Sequence, residues 1–173
     1  NQGSDDVSVV DLSTDTVVAT IDVGDEPYGL TTVSVGGVTY VYVANINSDN
    51  VSAINTLTNT VAATISVGVK PYYVAAVGTQ VYVTNGAGNT VSVINANTNT
   101  VTATIPVGSY PRGIKAHGTD LYVANYGDPN YSGGNYISII SSLTNTVTGT
   151  IILPAGSTGP RGVTVLGDNV YVA

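Results

Sequence analysis

The chain contains no cysteine, methionine, tryptophan or phenylalanine, and a single histidine, His117. Without cysteine there are no disulfides and no thiolate metal sites. One histidine alone excludes the usual multi-histidine zinc site. Charge is scarce as well: 9% of residues carry it, with four Lys or Arg against eleven Asp or Glu and a net charge of −7. Four cations cannot neutralise a run of phosphates, so no nucleic-acid partner is expected. No apolar run is long enough to cross a bilayer and no basic, then apolar, leader is present, so membrane insertion is not expected either. A chain opening on Asn1 rather than Met reads as processed or cut from something longer.

What remains is Val, Ile, Ala, Thr, Asn, Gly and twelve tyrosines, an alphabet that favours strands. At 173 residues, a single domain without staples is reasonable. Solubility must rest on Asn, Thr, Ser and Gly. Such charge-poor surfaces are common outside the cell, where glycans add to them, so an extracellular or cell-surface location is expected.

The order in this composition is a repeat. Leu121-Tyr-Val-Ala-Asn125 has close copies at Val41 to Asn45 and Val81 to Asn85, and a fourth copy, Val170-Tyr171-Val172-Ala173, stops one residue short. Asn1 supplies the missing residue, so the two ends read as halves of one repeat. Pro27, Pro71, Pro111 and Pro160 recur at spacings of 44, 40 and 49 residues. Each period holds four short apolar runs, here called strands a to d: Gly29 to Val35, Tyr40 to Asn45, Val51 to Asn55 and Val61 to Val67 in the first full period. A glycine turn joins a to b. Between c and d, Asp, Asn or Ser opens the turn and Thr-Asn-Thr or Thr-Asp-Thr closes it, as expected where side-chain oxygens cap backbone amides. Nothing reads as a helix.

This pattern predicts an all-β fold, a β-propeller of four-stranded antiparallel blades with four blades per chain, one of them split between the termini. Residues 1–173 form one domain: 1–26 are strands c and d of the split blade, 27–70, 71–110 and 111–159 are whole blades, and 160–173 are strands a and b of the split blade. The motif Val81-Tyr-Val-Thr-Asn85, with Asn89 to Asn95 and Thr98 to Gly108 after it, resembles the YVTN β-propeller repeat. The resemblance covers essentially the whole chain. It implies an extracellular protein of surface-layer type, with about seven blades per ring in family members. Three assemblies satisfy a split blade: a four-bladed ring closed by the chain's own ends, which stands first, an eight-bladed ring of two chains, and an open head-to-tail row. In each, Asn1, Val7, Val9, Val170, Tyr171 and Val172 carry the junction.

Lys70, Arg112 and Arg161 flank the repeat prolines in d-to-a loops and are expected on one face, as an anion or acidic-sugar site or paired with Asp25, Glu26, Asp49 or Asp128. The longest b-to-c loop, Asn125 to Tyr136, offers Tyr126, Tyr131 and Tyr136 with Asp128 and Asn130 to stack on and bond a sugar. Asn50 and Asn130 open glycosylation sequons and should be reachable. The recurrent Asn1, Asn45, Asn85 and Asn125 read as capping amides, since a cap is needed in every blade. His117 stands beside a hairpin without a Gly-x-Ser-x-Gly elbow, and strand a offers no carboxylate cluster. No catalytic residue, metal or cofactor is therefore expected. The functional expectation is a non-enzymatic, adhesive or structural extracellular module, glycosylated and self-associating through the split blade. The alternative is a carbohydrate- or protein-binding propeller that uses the loop face.

Overall fold

The computed structural model describes residues 1–127, 135–154, 156, 157 and 159–173. Sixteen strands run in chain order: β1 (Asp6–Asp11), β2 (Thr16–Asp22), β3 (Pro27–Val35), β4 (Val38–Asn45), β5 (Asn50–Asn55), β6 (Thr60–Ser66), β7 (Pro71–Val77), β8 (Gln80–Asn85), β9 (Thr90–Asn95), β10 (Thr100–Pro106), β11 (Pro111–His117), β12 (Asp120–Asn125), β13 (Tyr136–Ser141), β14 (Thr146–Ile152), β15 (Val163–Leu166) and β16 (Asn169–Val172). No helix occurs among the described residues. β3–β6, β7–β10 and β11–β14 are antiparallel four-stranded blades, and the termini form two further hairpins, β1–β2 and β15–β16.

The turns form for the reasons the sequence suggests. Asp15, Asn59, Asn99 and Asn145 adopt positive φ at the c-to-d turn, a conformation that Asn and Asp tolerate better than most residues. The Asn55 side chain accepts the Leu57 amide at 2.8 Å and the Asn95 side chain accepts the Asn97 amide at 2.9 Å. The Thr hydroxyls that close each turn pair at 2.8 Å. Strand d then carries a bulge opposite strand c in every repeat, between Val9 and Val10, Ala53 and Ile54, Val101 and Ala103, and Ile139 and Ile140. A bulge sharpens the local right-handed twist, which a propeller blade needs.

Blades stack face to face, with β3 packed on β7, β7 on β11 and β11 on β15 along the inner rim. Tyr42, Ala44, Val51 and Ile65 of one blade meet Val74, Val81, Val83 and Ile94 of the next. The same layer recurs one blade on, with Tyr82, Val91 and Ile105 against Ile114, Leu121 and Ile140. Each layer ends in a hydrogen bond to the following blade's c-to-d turn: the Tyr42 hydroxyl donates to Asn99 Oδ1 at 2.6 Å, and the Tyr82 hydroxyl to Asn145 Oδ1 at 2.7 Å.

The terminal hairpins correct one expectation. β1–β2 and β15–β16 are separate two-stranded sheets, so the four-bladed ring closed by the chain's own ends is not formed. Closure with four blades requires small residues at the axis, and β3, β7 and β11 carry Tyr28, Tyr72 and Arg112 directly after their first proline, with Tyr73 following in β7.

Candidate functional site

The Asn that closes each b strand is buried and structural. Asn45 Nδ2 donates to Asn50 Oδ1 at 2.7 Å and to Ser52 Oγ at 2.9 Å; Asn85 does the same with Thr90 at 3.0 Å and Ser92 at 2.9 Å. Asn125 reaches Ser138 Oγ at 3.0 Å and, in place of a side chain, the carbonyl of Tyr136 at 3.1 Å. Over each Asn lies a d-to-a glycine, Gly24, Gly68 or Gly108, whose added Cβ would meet the amide at 2.8, 2.6 or 2.4 Å. Asn50 is thus half-buried with its carbonyl engaged, a poorer glycan acceptor than its sequon suggests. Asn130, Asp128 and Tyr131 lie outside the described residues.

The same loop fixes the residue before each proline. Glu26, Lys70 and Tyr110 all adopt positive φ, and Gly159 does so in the fourth repeat. The Glu26 amide donates to Asp5 Oδ1 at 3.0 Å, the Lys70 amide to Asp49 Oδ1 at 2.8 Å and the Tyr110 amide to Asn89 Oδ1 at 2.9 Å. Asp49 therefore caps the Lys70 backbone.

The residue after each proline is placed differently. Strand a is bulged there: Pro27, Pro71 and Pro111 pair with Asn45, Asn85 and Asn125, but pairing resumes only at Leu30, Val74 and Ile114. Two residues on strand a thus face one on strand b, and such a bulge re-aims a side chain. The re-aimed residues are Tyr28, Tyr72 and Arg112, followed by Arg161 in the fourth repeat. They meet in succession. Tyr28 stands edge-on to Tyr72 at 5.8 Å and to Tyr73 at 5.1 Å. The Arg112 guanidinium lies 3.7 Å over the Tyr72 ring, 5.4 Å from Tyr126 and 5.7 Å from Tyr110. Arg161 sits 4.9 Å over Tyr126 and donates to its hydroxyl at 3.2 Å.

This crescent of five tyrosines and two guanidiniums is held by backbone contacts between inner strands. The Gly113 amide donates to the Arg161 carbonyl at 2.8 Å, and a Cβ on Gly113 would fall 2.4 Å from that oxygen. In the second whole blade Tyr73 replaces glycine and Thr84 replaces alanine together. The Thr84 hydroxyl accepts the Tyr73 amide at 3.1 Å and donates to the Arg112 carbonyl at 2.8 Å.

Among the described residues, the crescent's charge comes from its two guanidiniums. Arg112 Nε is buried without a hydrogen-bond partner, and among the described residues no carboxylate bonds Arg112 or Arg161. The Arg161 hydrogen bond, and then its charge, pulls the Tyr126 phenol below its ordinary value. Tyr73 moves the other way, first through burial and then through its hydrogen bond with Tyr28.

Of the residues singled out in the sequence, the fold brings Arg112, Arg161 and Tyr126 together. Lys70 occupies the position before proline, is exposed, and has no part in the crescent's contacts. Tyr28, Tyr72 and Tyr73 were missed; the signal was there, since Tyr28 and Tyr72 stand one place after proline, as both arginines do. His117 is exposed at the end of β11. No group of acidic or histidine side chains among the described residues could hold a metal ion.

No family model matches the sequence. No curated protein matches it either. Solved structures of the same fold do exist. Over 95% of its length the chain is similar to 47% of the hydrazine synthase chain of Kuenenia stuttgartiensis, with a TM-score of 0.82 and 23% identity. It is similar to 54% of the WD40 β-propeller domain of Doa1 over 97% of its own length, with a TM-score of 0.77 and 14% identity. The dihydro-heme d1 dehydrogenase NirN matches at a TM-score of 0.72 and 11% identity, over 88% of this chain and 34% of that one. The chain thus spans about half the length of these proteins or less.

These likenesses show the β-propeller fold, and the YVTN resemblance rests on the sequence repeat alone. They also overturn the expectation that the chain is no enzyme. A synthase and a dehydrogenase share this fold. Absent histidine and cysteine constellations exclude particular chemistries in one chain, whereas the fold accommodates catalysis built from other parts.

Proposed function

We propose that the chain is an extracellular or cell-surface propeller scaffold whose loop face binds an acidic glycan in the crescent of Tyr28, Tyr72, Arg112, Tyr126 and Arg161. The observation that carries this reading is the convergence of two guanidiniums on a row of tyrosines. In a chain of net charge −7, two of the four cations meet there, and among the described residues neither bonds a carboxylate and Arg112 Nε is buried without a partner. Guanidinium groups bind carboxylates in paired hydrogen bonds. The flanking tyrosines supply apolar rings with polar tips, the combination that stacks on sugar faces and bonds their hydroxyls. Ligand sites set a few convergent polar groups among apolar ones, and two guanidiniums among tyrosine rings supply such a set.

The test is calorimetric titration with a polyuronate oligosaccharide and with its methyl-esterified, uncharged form. The acidic sugar should bind, lose affinity as salt rises, and bind at least tenfold more weakly to Arg112→Gln. Equal binding of the two sugars, or an unchanged constant in Arg112→Gln, would count against the crescent as the site.

A further inference from the structure

The second whole blade departs from the repeat at two positions at once, next to the strand that carries Arg112. The other repeats pair a glycine in the strand-a bulge with an alanine on strand b: Gly29 with Ala44, Gly113 with Ala124 and Gly162 with Ala173. Here Tyr73 and Thr84 stand instead, brought together by the bulge between Pro71↔Asn85 and Val74↔Val83.

The glycine repeats show what the ordinary pair does. Gly113 brings its amide to 2.8 Å from the Arg161 carbonyl, and a Cβ there would stand 2.4 Å from the same oxygen. Gly29 has as little room, since its Cβ would lie 2.7 Å from the Tyr72 carbonyl oxygen and 2.7 Å from Tyr73 Cα. Neighbouring inner strands thus touch directly where glycine stands. A side chain at this place must hold the next strand off, because real Cβ atoms do not come so near.

Tyr73 has such a side chain, and the lost contact is replaced. The Tyr73 amide goes to the Thr84 hydroxyl at 3.1 Å, and that hydroxyl donates to the Arg112 carbonyl at 2.8 Å. The direct bond made by Gly113 has become a relay through one oxygen. A hydroxyl donates one proton and can accept as well, so Thr84 uses both capacities here. It is fully buried, where such bonds are stronger and an unmade one costs more.

The relay holds the arginine in a different place. Arg112, on the relayed contact, has its guanidinium 3.7 Å over the Tyr72 ring with Nε buried. Arg161, on the direct glycine contact, lies 4.9 Å over Tyr126. Tyr72 and Tyr73 are consecutive, so the segment that lends its amide to the relay also supplies the ring. A guanidinium already held against a ring has less freedom left to lose on binding, and its planar donors stay set for a carboxylate.

We infer that Thr84 and Tyr73 are a positioning pair that fixes the Arg112 guanidinium on the Tyr72 ring, so that this one arginine sets the crescent's preference for an acid. Thr84 acts through the Arg112 main chain. The preference for an acid rests on the acidic-glycan reading, whereas the placement of Arg112 does not.

The test uses the 173-residue chain, whose two arginines give two Nε–H signals in a proton–nitrogen correlation spectrum, assigned with Arg112→Gln. A proton above an aromatic ring is shielded by the ring current, so the Arg112 signal should lie upfield of that of an unstructured arginine. Thr84→Val keeps the shape and removes both bonds. It should return the signal toward the unstructured position and cut the ratio of affinities for polyuronate oligosaccharide and its methyl-esterified form by about three- to tenfold. Thr84→Ser keeps the hydroxyl and should retain both signal and ratio. A merely structural threonine would weaken the two sugars alike and leave their ratio unchanged. An unshifted Arg112 signal in wild type, loss of the shift in Thr84→Ser, or a wild-type signal or ratio in Thr84→Val would each overturn the inference. The wild-type and Thr84→Ser spectra keep it falsifiable even if Thr84→Val does not fold. If the signal moves in Thr84→Val while wild type binds neither sugar, the positioning of Arg112 stands and the acidic-glycan reading falls.

Discussion

The hydrogen bond from Tyr42 to Asn99 links adjacent blades through residues 57 positions apart, and it can be isolated by removing one oxygen. In Tyr42→Phe the ring stays in a fully buried site and the donor at 2.6 Å is lost. Asn99 sits in a half-buried turn, so its freed oxygen can turn to water and the cost should sit near the middle of the range for neutral bonds, about 1 kcal/mol. For a chain of this size that lowers Tm by about 2–4 °C. Asn99→Gly is the better partner substitution, because Asn99 has φ +53° and glycine keeps that conformation without strain. Urea unfolding of wild type, both single variants and the double variant should give a coupling of about 0.5–1.5 kcal/mol. Alkaline pH supplies the second half of the argument. Burial, with the charge of Tyr40 adding to it, pushes the Tyr42 hydroxyl up to about 12, whereas an unfolded tyrosine ionises near 10. The unfolded chain releases the proton first, so this contribution to stability is whole below about pH 10 and is lost as pH rises through about 12. Tyr42→Phe lacks it and should lose less stability over that window than wild type. Coupling below about 0.3 kcal/mol, or identical alkaline profiles, would refute the reasoning.

Gly68→Ala should destabilise by about 1–3 kcal/mol in urea unfolding, because the new Cβ lies 2.6 Å from the buried Asn85 amide that Thr90 and Ser92 hold. Gly78→Ala, at φ +57° with open space around it, should cost only about 1 kcal/mol, and equal losses would sink the comparison. Arg161→Gln should return the Tyr126 phenol upward toward its ordinary value, read by NMR of ring-labelled tyrosine, since the Arg161 hydrogen bond holds it down. An unmoved titration would dissociate the two residues.

The strands and turns were legible because each rests on local chemistry repeated four times. A position that needs positive φ selects Asn or Asp at 15, 59, 99 and 145, and alternation around the Tyr-Val core marks strand b. The crescent was only half legible. Reading cations near prolines grouped Lys70 with Arg112 and Arg161, although one lies before its proline and the others after, and the strand-a bulge sends those two positions to different places. Contacts such as Tyr42 with Asn99 were illegible, since nothing local in either segment specifies a partner in the next blade. The failure of self-closure had its sign in Tyr73, the bulky residue standing where the other repeats have glycine.

The residue before each repeat proline has a further consequence. Glu26, Lys70 and Tyr110 share one backbone pose, each with its amide held by an Asp or Asn from the neighbouring turn. An acid, a base and an aromatic therefore stand on identical mounts. The frame secures the mount through main-chain atoms and leaves the side chain out of its own bonding. Each repeat can thus exchange what it displays at this point while its foundation stays unchanged, and the loop rim becomes a set of interchangeable labels on a constant scaffold.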